Sequence, residues 1–273
     1  MECYTADETT SKWRLLGRAV LFMVGCAFIL IVAAPLMPKL TGWSSDFILG
    51  SIATLWALLL TLVFVRWEGL RPIAVGVAPD HLSLIRFAVG FCIGLLLVLL
   101  TASVVFAAGY VHWASNSEFR YSEIVGPLLT YLVLSCREEL AFHGYPLRNL
   151  ARYFGDWPAQ LFVALIFALE HRAGGYPWAQ AIMGAGVGSL LFGMAALSTR
   201  GLAVPMGIHA AWNFGQWAIG EKGMAAIWSE VVHDGDDQNI QIVRTASYVT
   251  VMGIATFSFW LWGRRISIPH DRV

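Results

Sequence analysis

Long apolar runs, separated by short polar segments, dominate the pattern along this chain. Eight such runs can be placed, and each is close to the roughly 20 residues that an α-helix needs to cross a bilayer. They cover residues 15–37, 46–66, 86–109, 125–145, 158–175, 180–198, 202–219 and 245–263. The pattern therefore predicts an all-α polytopic membrane protein with about eight transmembrane helices.

Composition supports this fold class and narrows the partners. Hydrophobic residues make up 58% of the 273 residues and charged residues 13%, whereas a soluble domain carries about 25% charged residues. The formal net charge is zero, so no global field indicates a nucleic-acid partner. Four scattered cysteines without CxxC spacing argue against a disulfide framework or a cysteine-ligated metal. The expected partner is the lipid bilayer.

Basic residues in the loops predict the orientation of the helices. With the N-terminus in the cytoplasm, cytoplasmic segments hold twelve Lys and Arg residues and external segments hold five. This bias predicts that both termini are cytoplasmic. The first apolar run is too long for a signal-peptide core and is expected to remain as a span. No Pro/Ser-rich linker divides the spans, so residues 1–273 are expected to form one membrane-embedded domain.

A few ionisable and amide residues fall inside the predicted spans, where they are costly unless paired or hydrated. They are Glu138, Glu139, Glu170, His143, His171, His209 and Asn213, and Arg137 precedes the glutamate pair. Two adjacent glutamates need two sets of compensating partners, because their side chains diverge by about 100° on a helix. These residues are the candidates for a functional site.

Spacing and depth organise the candidates. Three pairs have the i, i+4 spacing that shares a helix face, namely Glu139 with His143, Phe167 with His171, and His209 with Asn213. At about 1.5 Å per residue, the depths of Glu138, His171, His209 and Asn213 overlap. Three helices are therefore expected to bring a carboxylate, two imidazoles and an amide to one point inside the bilayer.

Each candidate also has a purely structural interpretation. A lone intramembrane His or Asn is often an interhelical hydrogen-bond partner, and Phe167 alone would be a core or lipid-facing residue. Glu170 is expected to pair locally with Arg172 or to lie at a helix end, while Arg137 or His143 would offset Glu139. Gly144 and Pro146 are expected to end the fourth helix. Overlapping depth favours the functional interpretation for the set as a whole.

The candidate residue types fit hydrolysis. A carboxylate and an imidazole around a water form a general-base arrangement, and a second imidazole with an amide can stabilise an oxyanion. One Glu and two His could instead hold a divalent metal such as zinc, with Glu138, His171 and His209 as the ligands. The zinc-protease motif HExxH is absent from the chain. These residues leave the metal-free and metal-dependent mechanisms as alternatives.

The stretches EELAFHGYPL, FALEH and HAAWNF, in this order and spacing, resemble the CPBP intramembrane proteases. This family, also called Abi, contains the CAAX prenyl proteases and the bacteriocin-processing or immunity proteins, and its motifs are EExxxR, FxxxH and HxxxN/D. The resemblance covers about residues 124–219, which would be the catalytic core. It implies a membrane-embedded endopeptidase that acts on a membrane-anchored protein or peptide.

The resemblance also implies residue roles. Glu138 would be the base that activates water with His171, His209 and Asn213 would form the oxyanion site, and Glu139 would be a supporting carboxylate. His143 stands where the family has Arg, and it holds a full charge only when protonated. That departure is compatible with pH-sensitive activity, another substrate or lost activity.

Two other functions fit the same pattern. A non-catalytic immunity or scaffold protein of the same family would keep the fold with a degraded motif. A proton-coupled transporter would also place carboxylates and histidines in its spans, although the paired broken helices common in transporters are not evident. The shortness of the chain and its HAAWNF segment favour a bacterial cytoplasmic membrane as its location.

Overall fold

A computed structural model describes residues 12–36, 43–222, 226–233 and 237–267. These residues form nine α-helices, which are α1 (Lys12–Ala33), α2 (Ser44–Trp67), α3 (Ser83–Ala107), α4 (Val125–Glu138), α5 (Tyr145–Phe154), α6 (Asp156–Ala173), α7 (Val187–Thr199), α8 (Ala203–Ala218) and α9 (Asp237–Ser267). Two π-helical segments, Glu139–Gly144 and Gln180–Gly186, precede α5 and α7. Short 3₁₀ turns lie at Ala34–Leu36, Pro72–Val75 and Tyr121–Ile124.

The helices confirm an all-α membrane protein. Five helical segments of the described chain are long and apolar enough to cross a bilayer, namely Lys12–Leu36, Ser44–Trp67, Ser83–Ala107, Gln180–Thr199 and Gln238–Arg265. Large apolar side chains on them face outward, as Ile31, Leu55 and Leu84 do. Helices α4, α6 and α8 are shorter, with 14, 18 and 16 residues. The count of eight spans stays a prediction.

The fourth predicted span differs from one continuous helix. Its α-helical part ends at Glu138, and the chain then widens into the π-helical segment before α5 begins at Tyr145. The backbone leaves helical geometry at Gly144, with a φ of −80° and a ψ of −108°, so the predicted end of the fourth helix at this glycine is confirmed. Pro146 lies in the first turn of the next helix, α5, where its missing N–H leaves no helical bond unmade. Both glutamates keep α-helical backbone angles.

Helices α3 and α8 pack at backbone contact distance. Gly90 and Gly94 of α3 form a GxxxG pattern, which permits close approach of membrane helices. A Cβ atom at Gly94 would lie 2.4 Å from the carbonyl oxygen of Ile208, and one at Gly90 would lie 2.2 Å from that of Val204. The position of α8 is therefore set by direct contact with α3.

A short antiparallel ribbon crosses one end of the bundle. Strand β1 (Val111–Ser115) pairs with β2 (Trp228–Val232), with Val111 opposite Val232 and Ser115 opposite Trp228. The inward-facing Val111 packs with Val105 of α3 and Ile240 of α9. Strand β2 lies between the predicted seventh and eighth spans, in the segment 220–244, of which residues 223–225 and 234–236 lie outside the described residues.

At the opposite end of the bundle, the carboxylate of Glu68, in the turn after α2, forms hydrogen bonds to two other helices. Glu68 accepts hydrogen bonds from Arg18 of α1 at 3.1 Å, from the Tyr145 hydroxyl at 2.7 Å and from Asn149 at 3.0 Å. The start of α1, the end of α2 and helix α5 therefore lie together.

Further contacts extend this end of the bundle to α9. Arg148 of α5 donates to the carbonyl oxygen of Ala196 in α7 at 2.7 Å, and Ser198 of α7 donates to that of Phe259 in α9 at 2.7 Å. The beginning of α1 and the last turns of α9 thus lie at the same end of the bundle, opposite the ribbon.

Candidate active site

Three consecutive charged residues, Arg137, Glu138 and Glu139, lie at the junction between α4 and the π-helical segment. The helical rotation between neighbours sends the two carboxylates in different directions. The side chain of Glu139 is completely buried, whereas that of Glu138 keeps 15% of its surface exposed. The two glutamates therefore have distinct environments although they are adjacent in sequence.

The buried carboxylate of Glu139 joins two histidines. One oxygen lies 2.8 Å from Nδ1 of His143, and the other lies 2.9 Å from Nδ1 of His209. An ionised carboxylate only accepts, so this arrangement is satisfied when both imidazoles donate. The second nitrogen of His143 lies 3.0 Å from the Ser189 hydroxyl, which can donate to it. His143 is therefore fully hydrogen-bonded in its neutral form.

His209 also faces the second carboxylate. Its Nε2 atom lies 3.4 Å from Oε2 of Glu138, and its ring stacks on Phe192 with the centroids 4.1 Å apart. Nδ1 donates to Glu139, so Nε2 is the nitrogen that faces Glu138. Phe192 fixes the plane of the ring, so the direction of Nε2 is set by packing.

Arg137 bridges two carboxylates on different helices. It donates to Oε1 of Glu138 at 3.4 Å and forms an ion pair with Glu170 of α6. Of the two alternatives predicted for Glu170, local pairing with Arg172 is wrong, and a position at a helix end is confirmed, because Glu170 lies in the last turn of α6. Arg172 lies instead over the ring of Trp178, 5.4 Å from its centroid. The partner of Glu170 belongs to another helix, which spacing along α6 does not reveal.

His171 contacts the same cluster through an aromatic ring. The Phe167 centroid lies 4.5 Å from that of His171, 6.1 Å from that of His143 and 6.4 Å from that of His209. Nδ1 of His171 lies 3.0 Å from the carbonyl oxygen of Phe167, which only accepts. Nδ1 therefore carries the proton, and Nε2 of the neutral ring is a free acceptor. Within the described residues, the ion pair of Glu138 is with His209 and Arg137, and none joins it to His171.

Asn213 lies one turn beyond His209 on α8. Its side-chain oxygen accepts a hydrogen bond at 2.7 Å from Lys222, which follows the end of α8. The Lys222 ammonium also lies 4.7 Å from the centroid of the Tyr131 ring. Burial lowers the pKa of Lys222 to about 8, and the nearby carboxylates of Glu138 and Glu221 oppose this shift.

Positive charge lies close to the carboxylate of Glu138. Arg137 pairs with both Glu138 and Glu170. The Lys222 ammonium contributes a second positive charge near Glu138.

Glu138, His171 and His209, the residues that would hold a metal, are not gathered into a metal site. Nε2 of His209 faces Glu138, but among the described residues no ion pair or hydrogen bond joins His171 to either of them. No group of three or more His, Cys, Asp and Glu residues with metal-binding geometry occurs in the part of the chain that the structure describes.

The sequence reasoning missed three residues of this cluster, Ser189, Phe192 and Lys222. Ser189 and Phe192 stand in an apolar run where neither residue type carries a signal of its own. Lys222 lies beyond the predicted seventh span and is one of only three lysines in the chain. The scarcity of lysine in the chain and the position of Lys222 four residues after the end of α8 are the two features that could have identified it as a site residue.

Residues 120–215, about a third of the chain, match the family model described as "Type II CAAX prenyl endopeptidase Rce1-like". No curated protein sequence matches the chain. The family match confirms the resemblance based on the three motifs. The match supports similarity to CAAX proteases. It does not support the Abi designation or a metalloprotease.

Proposed function

Because residues 120–215 carry the CAAX protease family segment, we propose that this protein is an intramembrane endopeptidase that hydrolyses a peptide bond of a membrane-associated protein or peptide. Residues 124–219 form its catalytic core within a single membrane-embedded domain. The observation that carries the proposal is the 3.4 Å approach of Nε2 of His209 to the carboxylate of Glu138 inside a helical bundle.

In the proposed reaction, Glu138 takes a proton from water as the water oxygen attacks the scissile carbonyl carbon. His171, whose Nε2 accepts, holds that water together with Glu138. The developing oxyanion accepts hydrogen bonds from Nε2 of His209 and from the amide of Asn213. Glu138 then gives the proton to the leaving nitrogen as the C–N bond breaks. The reaction requires an ionised Glu138 at its start and a proton on Nε2 of His209.

The supporting residues keep these groups in place. Glu139 accepts from Nδ1 of His209, so Nε2 is the atom directed at the reaction. Arg137 holds Glu138 and is itself held by Glu170. The ring of Phe167 contacts the imidazoles of His143, His171 and His209 and thereby sets the distances between them. Glu139, Arg137 and Phe167 therefore act through the residues that contact the substrate.

The test is cleavage of quenched-fluorescent peptides by the purified protein in liposomes. One peptide carries a farnesylated cysteine three residues from its C-terminus, and a second lacks the prenyl group. We expect Glu138→Gln to lower kcat by about 100-fold or more, the usual contribution of a general base. The matched control is Glu123→Gln, because Glu123 is an exposed glutamate of the turn before α4.

Equal activity of wild type and Glu138→Gln on a cleaved peptide would exclude this mechanism. The scaffold alternative predicts no cleavage by either protein, together with full complementation of a deletion phenotype by Glu138→Gln. The transporter alternative predicts proton-coupled solute flux across the same liposomes. We also propose that the protein lies in a bacterial cytoplasmic membrane and that both of its termini are in the cytoplasm.

A further inference from the structure

We propose that Lys222 is a positioning residue of this site, which orients the side-chain amide of Asn213 so that its NH₂ group faces the reacting carbonyl. This inference rests on the proposed function for the role of Asn213, but its geometric part is independent of catalysis. Lys222 lies outside the matched residues 120–215, so neither the family model nor the motifs assign it.

The orientation follows from the chemistry of the contact. The Lys222 ammonium has three donors and no acceptor, and it lies 2.7 Å from Oδ1 of Asn213. The oxygen of the amide must therefore face Lys222, and the two N–H donors face the other way. Without this partner, the oxygen and nitrogen of the amide could exchange places with little change in shape. A flipped amide would present an acceptor to an oxyanion.

The lysine is held in place by groups from several elements. The Tyr131 ring of α4 lies beneath its ammonium, 4.7 Å away. Glu138, two turns further along α4, and Glu221, on the same loop, supply the negative charges that favour its charged form. The cation thus lies between the proposed base and the proposed oxyanion donor, on the side of the bundle that carries the ribbon.

The two residues that precede Lys222 contact the ribbon and α9. Gly220 adopts a φ of +85°, and a Cβ atom there would lie 2.7 Å from the carbonyl oxygen of Trp228. The Glu221 backbone N–H donates to Gln216 at 3.0 Å, and its carboxylate lies 3.7 Å from Arg244 of α9. These contacts hold Gly220 and Glu221 in place, so Lys222 can reach the site although it follows the end of α8.

A charge-assisted hydrogen bond strengthens the donor at the other end of the amide. Bonds to an ionised group are about twice as strong as neutral ones, and hydrogen bonds in a chain polarise one another. With Lys222 bound to its oxygen, the Asn213 NH₂ group is both correctly directed and a better donor. Loss of Lys222 is therefore expected to lower the rate of the chemical step and to leave substrate binding unchanged.

The first experiment requires no activity. The chain has four asparagines, so selective ¹⁵N-asparagine labelling in detergent micelles gives four side-chain NH₂ signals, assigned with Asn213→Leu. Because the pKa of Lys222 is about 8, the Asn213 signal in wild type is expected to shift with a midpoint near pH 8. Lys222→Arg stays charged and should abolish this shift, as should Lys222→Met. An Asn213 signal identical in wild type and Lys222→Met would overturn the proposal.

The second experiment is kinetic and uses the farnesylated peptide. We expect Lys222→Met to lower kcat about 10-fold or more with KM unchanged, and Lys222→Arg to recover most of the loss. In the wild type we expect kcat to fall as the pH rises through about 8, because Lys222 then loses its charge. In Lys222→Arg this fall should occur at a higher pH. Lys12→Met, at the exposed start of α1, is the control.

The two experiments separate the possible failures. An effect of Lys222→Met on KM alone would overturn the inference, because it would make Lys222 a substrate-binding contact. Absence of cleavage by wild type counts against the proposed function, whereas the NMR experiment still decides whether Lys222 orients Asn213.

Discussion

At the scale of single residues, His143 stands where the motif that the sequence resembles has an arginine, and Ser189 is its hydrogen-bond partner. His143 is fully buried between Glu139 and the Ser189 hydroxyl. An arginine would bring a permanent charge to this position, whereas a neutral histidine donates to the carboxylate and accepts from the serine. The serine–histidine pair therefore supports Glu139 without an additional buried cation.

Ser189→Ala should reveal this support in stability. It removes the donor to Nε2 of His143 and leaves a buried acceptor unsatisfied, which costs about 1–3 kcal/mol in the free energy of unfolding. The measurement is reversible unfolding in mixed micelles, followed by tryptophan fluorescence. Ser103→Ala is the matched control, because Ser103 is exposed on α3 and bonds only within its own helix. Equal stability losses in both variants would contradict the assigned partnership.

At the scale of secondary structure, the two glutamates lie where α4 meets the π-helical segment. Glu138 ends the α-helix and Glu139 begins the wider turn, and both keep α-helical backbone angles. π-Helical turns inside helices often occur at functional sites. The helical rotation of about 100° between neighbours directs Glu139 into the bundle toward His143 and His209, while Glu138 stays at the partly open side.

The α3–α8 contact positions the two α8 residues of the site, and Gly94→Ala should disturb it. The added methyl group would lie 2.4 Å from the backbone oxygen of Ile208, so α8 must shift. We expect a loss of about 1–3 kcal/mol in the free energy of unfolding, as for overpacked cores, and a lower kcat because His209 follows Ile208. Gly253→Ala in α9 has open space around its Cβ position and is the control. Unchanged activity and stability in Gly94→Ala would show that α8 tolerates the shift.

At the scale of the whole molecule, the two ends of the bundle differ in construction. One end carries the ribbon and the Lys222 loop, and the other carries the polar contacts of Glu68 and Arg148 together with the start of α1 and the end of α9. The excess of basic residues on the second end favours its cytoplasmic location. The site lies between the ends. Glu138 ends α4, which begins at Val125 on the ribbon side, and Tyr145, which bonds to Glu68, follows directly after the π-helical segment.

Cysteine labelling of intact cells tests this orientation. On a background free of native cysteines, Ser117→Cys beside the ribbon and Asp156→Cys at the start of α6 are both exposed positions at opposite ends. A membrane-impermeant maleimide should label Ser117→Cys in intact cells and Asp156→Cys only after permeabilisation. The reverse pattern would invert the proposed orientation, and labelling of both positions would indicate mixed insertion.

The sequence by itself determined the helical class and the identity of most site residues. Apolar runs of about 20 residues must be helical in lipid, because each backbone N–H and C=O has to be satisfied within the segment. The same medium makes ionisable residues costly, so Glu138, Glu139 and His209 were evident without a structure. Spacing along one helix also predicted the contact of Glu139 with His143, since i and i+4 share a face.

Only the tertiary structure decided the partners between helices. Glu170 pairs with Arg137, His143 meets Ser189, and Lys222 reaches Asn213. Such pairs depend on the rotation and axial register of each helix, which close contacts such as that of α3 with α8 establish. Periodicity along one segment carries no information about that register, because lipid and a neighbouring helix present similar apolar surroundings to the same residues.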